Sequence, residues 1–390
     1  MTRKTPTRVP KRRTPVSKPR HPRPKIALVL GGGGLKGFAH IGVIRALEEL
    51  GIEPTVFAGT SIGSLIGAAY VGGMPVPEMS ERARALKRRD LFRLNRIGML
   101  LERQRSPAIY LEEPLRALVE SVVPRKRLDQ LKKQVLVNTV DIQRGTQVVW
   151  GLNGLRDVSA TDAVYASCSL PGFFPPGVIS RRLCVDGGVV DNLPVGIAGR
   201  GMDMVIAVDT GSSDVAPEND IAVHGFTSIY MRAATTMMHA LQLVPFSSWT
   251  RPPMILIRPQ VSHIGWFSFS HTEEILEAGY TAAIEALSNY EEAMTWGSGV
   301  FPRRAIQITV DREKCIGCTL CASLAPDVMA MDSHHKAYPL TPIVEWSPAD
   351  GDFVHQCPTL AIEATRIEEG KPQTATATVD PTRQATTESR

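Results

Sequence analysis

Two glycine-rich turns set in the same rhythm constrain this chain more than any other feature. Lys25 to Leu30 is a short continuous apolar run, as expected of a strand buried on both faces, and Gly31 to Gly34 break it. From Leu35 to Leu50 the apolar residues recur at helical spacing (Phe38, Ile41, Ile44, Leu47), and Gly51 supplies a stop. Thr55 to Ala58 then reads as a second strand, and Ile62 to Val71 as a second helix ended by Gly72 and Gly73. Strand, helix, strand, helix is the opening of an α/β domain: a parallel sheet with helices on both faces.

Later strands are expected at Val135 to Val140, Gln147 to Trp150, Arg182 to Val185, Met204 to Asp209 and Met254 to Ile257. Helices are expected at Glu78 to Arg89 and Glu112 to Val122, and one long helix, Glu273 to Trp296, closes the domain. Phe301-Pro302 marks a change of texture. Prolines at 326, 339, 342, 348 and 358 then punctuate short segments around a cysteine cluster. At 390 residues the chain exceeds one compact core, so two folded units are expected: 25–300, and a small α+β unit at 301–368. Residues 1–24 and 369–390 read as disordered tails.

The net charge of +5 hides an asymmetry. Residues 1–25 carry ten Lys and Arg and no acid, which leaves 34 basic against 39 acidic residues elsewhere. Prolines exclude a helix there. Two readings stand for the tail: plain solvation, or peripheral contact with anionic membrane. No specific nucleic-acid partner is expected. No apolar run reaches the roughly 18 residues of a spanning helix, and Ile26 to Leu30 is too short for a signal peptide. The expectation is a cytoplasmic protein.

Gly59-Thr60-Ser61-Ile62-Gly63 fits G-x-S-x-G at a strand–helix junction, where a sharp turn lifts a serine clear of the sheet. Ser61 is the candidate nucleophile. The run Gly31 to Gly37 admits a dinucleotide reading through Gly32, Gly34 and Gly37, with Glu53 as ribose partner. Paired with a serine elbow, the amides of Gly32, Gly33 and Gly34 make better sense as an oxyanion hole. Lys36 either reinforces that positive field or is a solvated helix residue. Asp186, in Asp186-Gly187-Gly188 beyond a strand, could take the serine proton directly or through a histidine. Asp191 and Asp209 compete with it, and His224, His239, His263 and His271 are the triad candidates. Spacing alone leaves dyad and triad open.

The set Gly32 to Gly37, Gly59 to Gly63 and Asp186 to Gly188 resembles the patatin-like phospholipases over about residues 25–300. Flanking text agrees: Ala39-His-Ile-Gly-Val43, Ala166 to Pro176 and Gly188 to Val195. The resemblance implies hydrolysis of lipid or fatty-acyl esters by a Ser61–Asp186 dyad, with no catalytic histidine and no cofactor. It places the oxyanion hole at the amides around Gly33 and Gly34.

Cys168 and Cys184 fall inside this text and read as core thiols. Cys315-x2-Cys318-x2-Cys321, followed far downstream by Cys357-Pro358, is the ligand order of a bacterial-type 4Fe–4S site. Zinc is the alternative for four thiolates. The segment resembles single-cluster ferredoxins, which implies one 4Fe–4S cluster with a redox, docking or structural role, and a possible redox partner. Ester hydrolysis needs no electrons. The competing reading is therefore an electron-transfer protein anchored to lipid by an idle hydrolase fold; the intact Ser61, Asp186 and glycine run favour the hydrolase.

Overall fold

A computed structural model describes residues 23–96, 108–211, 225–350, 353–368 and 371–373. Most of both expected tails lies outside the described residues, as does His224.

The first unit is built on one sheet of strands β1 (Ile26–Leu30), β2 (Val56–Thr60), β3 (Gln134–Asp141), β4 (Thr146–Trp150), β5 (Gly177–Ile179), β6 (Arg182–Asp186), β7 (Met204–Val208), β8 (Met254–Ile257) and β9 (Val300–Phe301). β3, β2, β1, β7, β8 and β9 lie side by side and parallel. Every residue of β1, β2 and β7 is buried, as two-sided cover of central parallel strands demands. Along β1, Ile26, Leu28 and Leu30 enter one apolar cluster, and Ala27 and Val29 the other.

The first, larger cluster is covered by helices α1 (Ala39–Glu49), α2 (Ile62–Gly72), α3 (Val76–Ala85), α4 (Glu112–Val122) and α5 (Ala160–Cys168). Downstream come α6 (Phe226–Ser247), α7 (Thr272–Leu287) and α8 (Tyr290–Trp296), the last two on that same face. The second face is thinly covered, by Val195, Ala198 and Phe246 at the far end of α6.

Four expectations need correction. The sheet is only mainly parallel: β4 and β6 pair antiparallel with β3, and β5 antiparallel with β6. The helix expected from Leu35 opens as a 3-10 turn over Gly34–Phe38. The single long helix is two, because Asn289 breaks it with its amide nitrogen donating to Ala286 O (3.2 Å). β9, ending at Phe301, still belongs to the first sheet, so the change of unit falls after it.

In the second unit β10 (Arg304–Val310) pairs antiparallel with β13 (Ile343–Trp346) and β14 (Ile362–Glu368), and β11 (Met329–Met331) pairs with β12 (Ala337–Pro339). Helix α9 (Leu320–Leu324) carries Cys321. β15 (Lys371–Gln373) pairs with β14, so ordered chain extends past Glu368. The core is small: Ile306, Ile308, Met329, Phe353 and Ile362 pack around Cys315 and Cys321. This unit docks on the first through Ser347, whose hydroxyl donates to Val300 O (2.9 Å), and through Glu285, which meets Arg304 and Arg366 (2.7 and 2.9 Å).

α1 and α7 touch backbone to backbone. A Cβ on Gly279 would stand 2.0 Å from Ala39 O, and one on Gly42 would stand 2.0 Å from Leu276 O. Gly279→Ala must therefore push the helices apart. The expected cost is about 1–3 kcal/mol, seen as a lower urea midpoint at unchanged m-value.

Candidate active site and thiol pocket

Sheet register brings Ser61 and Asp186 to one point. β2 runs along β3 until Thr60 stands opposite Asn138; β6 meets the next residue, with Asp186 opposite Thr139. β4 pairs with β3 across both stretches and so occupies the other edge. The C-terminal ends of β2 and β6 therefore face each other along one edge of β3.

Ser61 leaves β2 with φ 53° and ψ −127°, a conformation that a non-glycine residue holds only when its surroundings impose it. Its N–H donates to Ser167 Oγ (2.8 Å), and that hydroxyl donates to Asn138 O (2.7 Å). The elbow is tight: a Cβ on Gly59 would stand 2.4 Å from Ser64 N, and one on Gly63 would stand 2.1 Å from Leu30 O. α2 begins at Ile62, so its positive end faces the serine.

Asp186 is buried. Its Oδ1 accepts the Gly188 N–H (2.9 Å), and its carboxyl lines the same two cavities as Ser61. Burial pushes its pKa up to about 6, against the opposing pull of the Gly188 amide and the Ser61 side chain. Gly187 packs on Asn138, where a Cβ would lie 2.4 Å from Nδ2. The competing acids are engaged elsewhere. Asp191 accepts from Leu193 N–H (3.1 Å) and Gln147 Nε2 (3.2 Å), and Asp209 from Gly211 N–H (3.4 Å). His263 meets Glu274 (2.7 Å), His271 meets Ser268 (2.7 Å), and His239 lies on α6. None of the described histidines lines the cavities at Ser61.

The glycine run is pinned at intervals. Gly31 N–H donates to Val208 O (2.9 Å), Gly32 N–H to Asn192 O (3.3 Å) and Leu35 N–H to Trp266 O (2.8 Å). No described hydrogen bond engages the amides of Gly33 or Gly34. Gly37 packs against Ile62, 2.1 Å from a Cβ position. Lys36 is not solvated: it is buried, with Nζ donating to Ser262 O (3.3 Å). His40, missed by sequence reasoning, supports the run from behind. Its Nε2 donates to Gly31 O (2.8 Å), and burial pulls its pKa down to about 4 although that bond opposes the shift. Glu53 is exposed in an ion pair with Arg23 (2.7 Å) and lines neither cavity at the serine, so the dinucleotide reading loses its ribose partner.

Two cavities meet at Ser61 and Asp186. One runs into the larger core and is walled by such side chains as Phe38, Leu65, Ile66 and Leu115. The other, about 1010 Å³, opens on the glycine side beneath α6, where Tyr230, Met238 and Leu241 face Gly33 and Asn192. Val189, Met237 and Leu241 leave an exposed apolar rim around it.

In the second unit Cys315, Cys318, Cys321 and Cys357 line one pocket of about 330 Å³. Ala337 N–H points at Cys315 Sγ (3.5 Å) and Ala361 N–H at Cys357 Sγ (3.3 Å). Burial raises the Cys357 thiol pKa, but amides of Ala361, Thr359 and Ile362 outweigh it and hold the thiol below its usual range. Among the described residues no three His, Cys, Asp or Glu side chains converge closely enough for a single ion. Four thiols spread around a pocket suit a polynuclear group better than one zinc, and amides aimed at sulfur suit thiolate ligands.

Residues 28–198 match the family of patatin-like phospholipases, and residues 308–386 match the 4Fe-4S single cluster domain. The chain therefore carries a segment similar to patatin-like phospholipases, followed by a segment similar to single-cluster 4Fe-4S domains. An uncharacterized NTE family protein of Mycobacterium tuberculosis is 35% identical over 199 residues, 50% of this chain and 52% of that one. Patatin-like phospholipase domain-containing protein 6 of Homo sapiens is 35% identical over 212 residues, 51% of this chain and 14% of that one. Lysophospholipase nte1 of Neosartorya fischeri is 30% identical over 315 residues, 71% and 19%. The chain thus spans about half the length of its mycobacterial relative and under a fifth of the other two. Among solved structures it is similar to VipD from Legionella pneumophila, with TM-score 0.37 and 15% identity over 69% of this chain and 67% of that one.

Proposed function

We propose that the patatin-like unit hydrolyses carboxylic esters of lipids, with Ser61 as nucleophile and Asp186 as the base. The observation that carries this reading is the juxtaposition of Ser61 and buried Asp186, which together line both of two apolar cavities. The Ser61 hydroxyl oxygen attacks the ester carbonyl while its proton passes to the Asp186 carboxylate. The amides of Gly33 and Gly34 receive the oxyanion. Collapse expels the alcohol, which takes the proton back from Asp186. Water then attacks the acyl-enzyme with Asp186 as base again, which releases the fatty acid and restores Ser61. The apolar cavities hold acyl chain, consistent with a phospholipase or lysophospholipase.

Ser61→Ala should abolish hydrolysis of short-chain aryl esters and phospholipids in folded protein, and Asp186→Asn should be nearly as damaging. Substantial turnover in folded Ser61→Ala would sink the assignment. The base works only when ionised, so a carboxyl titrating at about 6 should give kcat/KM a rising limb with that midpoint and a plateau above it. A rate falling from pH 5 to 7 would reject Asp186 as the base.

Cys315, Cys318, Cys321 and Cys357 would hold one 4Fe–4S cluster, which supplies one-electron chemistry when bound. Its role on this reading is structural, because the unit's own apolar core is small. Anaerobic reconstitution should load four irons per chain and give a brown, reducible chromophore. Cys318→Ser should bleach it and expose residues 302–368 to protease, while ester hydrolysis persists within a few-fold. Collapse of hydrolysis, or a rate change on reducing the intact cluster, would point to redox control.

A further inference from the structure

Asn192 sits on the turn that follows the Asp186-Gly187-Gly188 segment, 4% exposed, and it grips Gly32 from both sides. Its backbone oxygen accepts the Gly32 N–H (3.3 Å), and its side-chain Nδ2 donates to Gly32 O (3.2 Å). A carbonyl oxygen only accepts, so these partners also fix which way the carboxamide faces. Its Oδ1 then lies beside Gly32 and Gly188, 3.0 Å from where a Cβ on Gly188 would stand, buried and without a hydrogen-bond partner among the described residues. Oδ1 and Ser61 Cβ flank one point, 2.5 and 3.3 Å from where a Cβ on Gly32 would stand.

The grip matters because of the peptide that Gly32 O belongs to. In a planar trans peptide the carbonyl oxygen and the amide hydrogen point in opposite directions. Holding Gly32 O therefore sets the direction of the Gly33 N–H, one of the two amides in the run that no described hydrogen bond engages. Glycines have no side chain to resist rotation of that plane. Without Asn192 the donor direction would be free to wander.

We propose that Asn192 is a positioning residue for the oxyanion hole: by clamping the Gly32 peptide it aims the Gly33 amide at the carbonyl oxygen of an ester bound at Ser61. This rests on the hydrolase reading. A clamp of this kind acts on the transition state and not on ground-state binding, since the oxyanion exists only there. Loss of one oxyanion donor costs about 100- to 1000-fold in kcat, and misdirecting it should cost about 10- to 100-fold by the same reasoning.

The test compares wild type, Ser61→Ala, Asn192→Ala and the near-isosteric Asn192→Asp, which cannot donate to Gly32 O. Turnover of a short-chain aryl ester is referred to sites titrated with a serine-directed phosphonate, so partial misfolding drops out. Both Asn192 variants should lose kcat by that factor with KM within about three-fold. Affinity for a trifluoromethyl ketone, which forms an oxyanion on Ser61, should fall in proportion to kcat/KM; affinity for dodecanol, which forms none, should hold. Unchanged kcat in both variants, or a raised KM at constant kcat, overturns the positioning role. So does a failure of both variants to fold by circular dichroism, which would make Asn192 a residue of the fold. Wild type without turnover, or Ser61→Ala with full turnover, rejects the hydrolase reading instead.

Discussion

The site depends on the place along β3 where β2 stops and β6 takes over. β3 continues past Asn138 through Thr139, Val140 and Asp141, and β6 satisfies the hydrogen-bonding edge that β2 leaves open there. Register is critical, because a slip by one residue would turn every side chain of β6 to the other face of the sheet. Two features hold it. Ser180 and Arg181, with φ of 48° and 64°, form the tight turn between β5 and β6, of the kind whose twist matches paired strands. Arg182, the first residue of β6, then pairs with buried Asp141 (3.3 Å), which Arg144 also holds (2.8 Å). Asp186 reaches Ser61 because the far end of its strand is locked.

Around that point the polar groups are fixed before any substrate arrives. Asn138 illustrates it: its Nδ2 donates to Asp191 O (2.6 Å) and Thr60 Oγ1 (3.1 Å), and its backbone oxygen takes the Ser167 hydroxyl that holds the Ser61 amide. The glycine run is tied at Gly31, Gly32 and Leu35, which leaves two adjacent amides between the ties. Donors fixed in this way need no reorganisation as charge develops, and that is where most of their effect on rate arises. On the proposed mechanism, burial of Asp186 would work toward the same end. A carboxylate left in water would be a weak base; one lifted to about 6 is a better proton acceptor and is still ionised at neutral pH.

The glycine turns, the first two strands and helices and the grouping of four cysteines around one pocket were legible because each is written in spacing: a run of apolar residues, a 3.6-residue recurrence, a fixed motif. The antiparallel end of the sheet was not. Arg182–Asp186 has the composition of any buried strand, and direction is set by the Ser180–Arg181 turn. α6 escaped notice because its Thr, Met and Ala residues offer no polar stripe against which a period could stand out. Ser167, Asn138 and Asn192 escaped for another reason. Each acts through hydrogen bonds to residues distant in the chain, and such partners leave no local pattern. Lys36 looked like a surface residue by type, yet the Ser262 carbonyl gives its ammonium a partner under the glycine run.

The same packing logic bears on why two units without shared chemistry lie on one chain. The second face of the hydrolase sheet has few helices to cover it, and Ala349 of the second unit packs there against the cluster of Leu193, Val195, Phe246 and Val300. Phe246 lies at the far end of α6, and the Tyr230-to-Leu241 stretch of that helix walls the cavity at Ser61. The segment that docks is held in turn by the cysteine-lined region: Phe353 is buried in the small core, and Cys357 follows four residues later. Four cysteines joined through one cluster would therefore stiffen the piece of chain that closes the hydrolase's thinner face. Such a role would require no electron to reach the ester, and on the proposed function it would account for an iron–sulfur site beside a redox-neutral reaction.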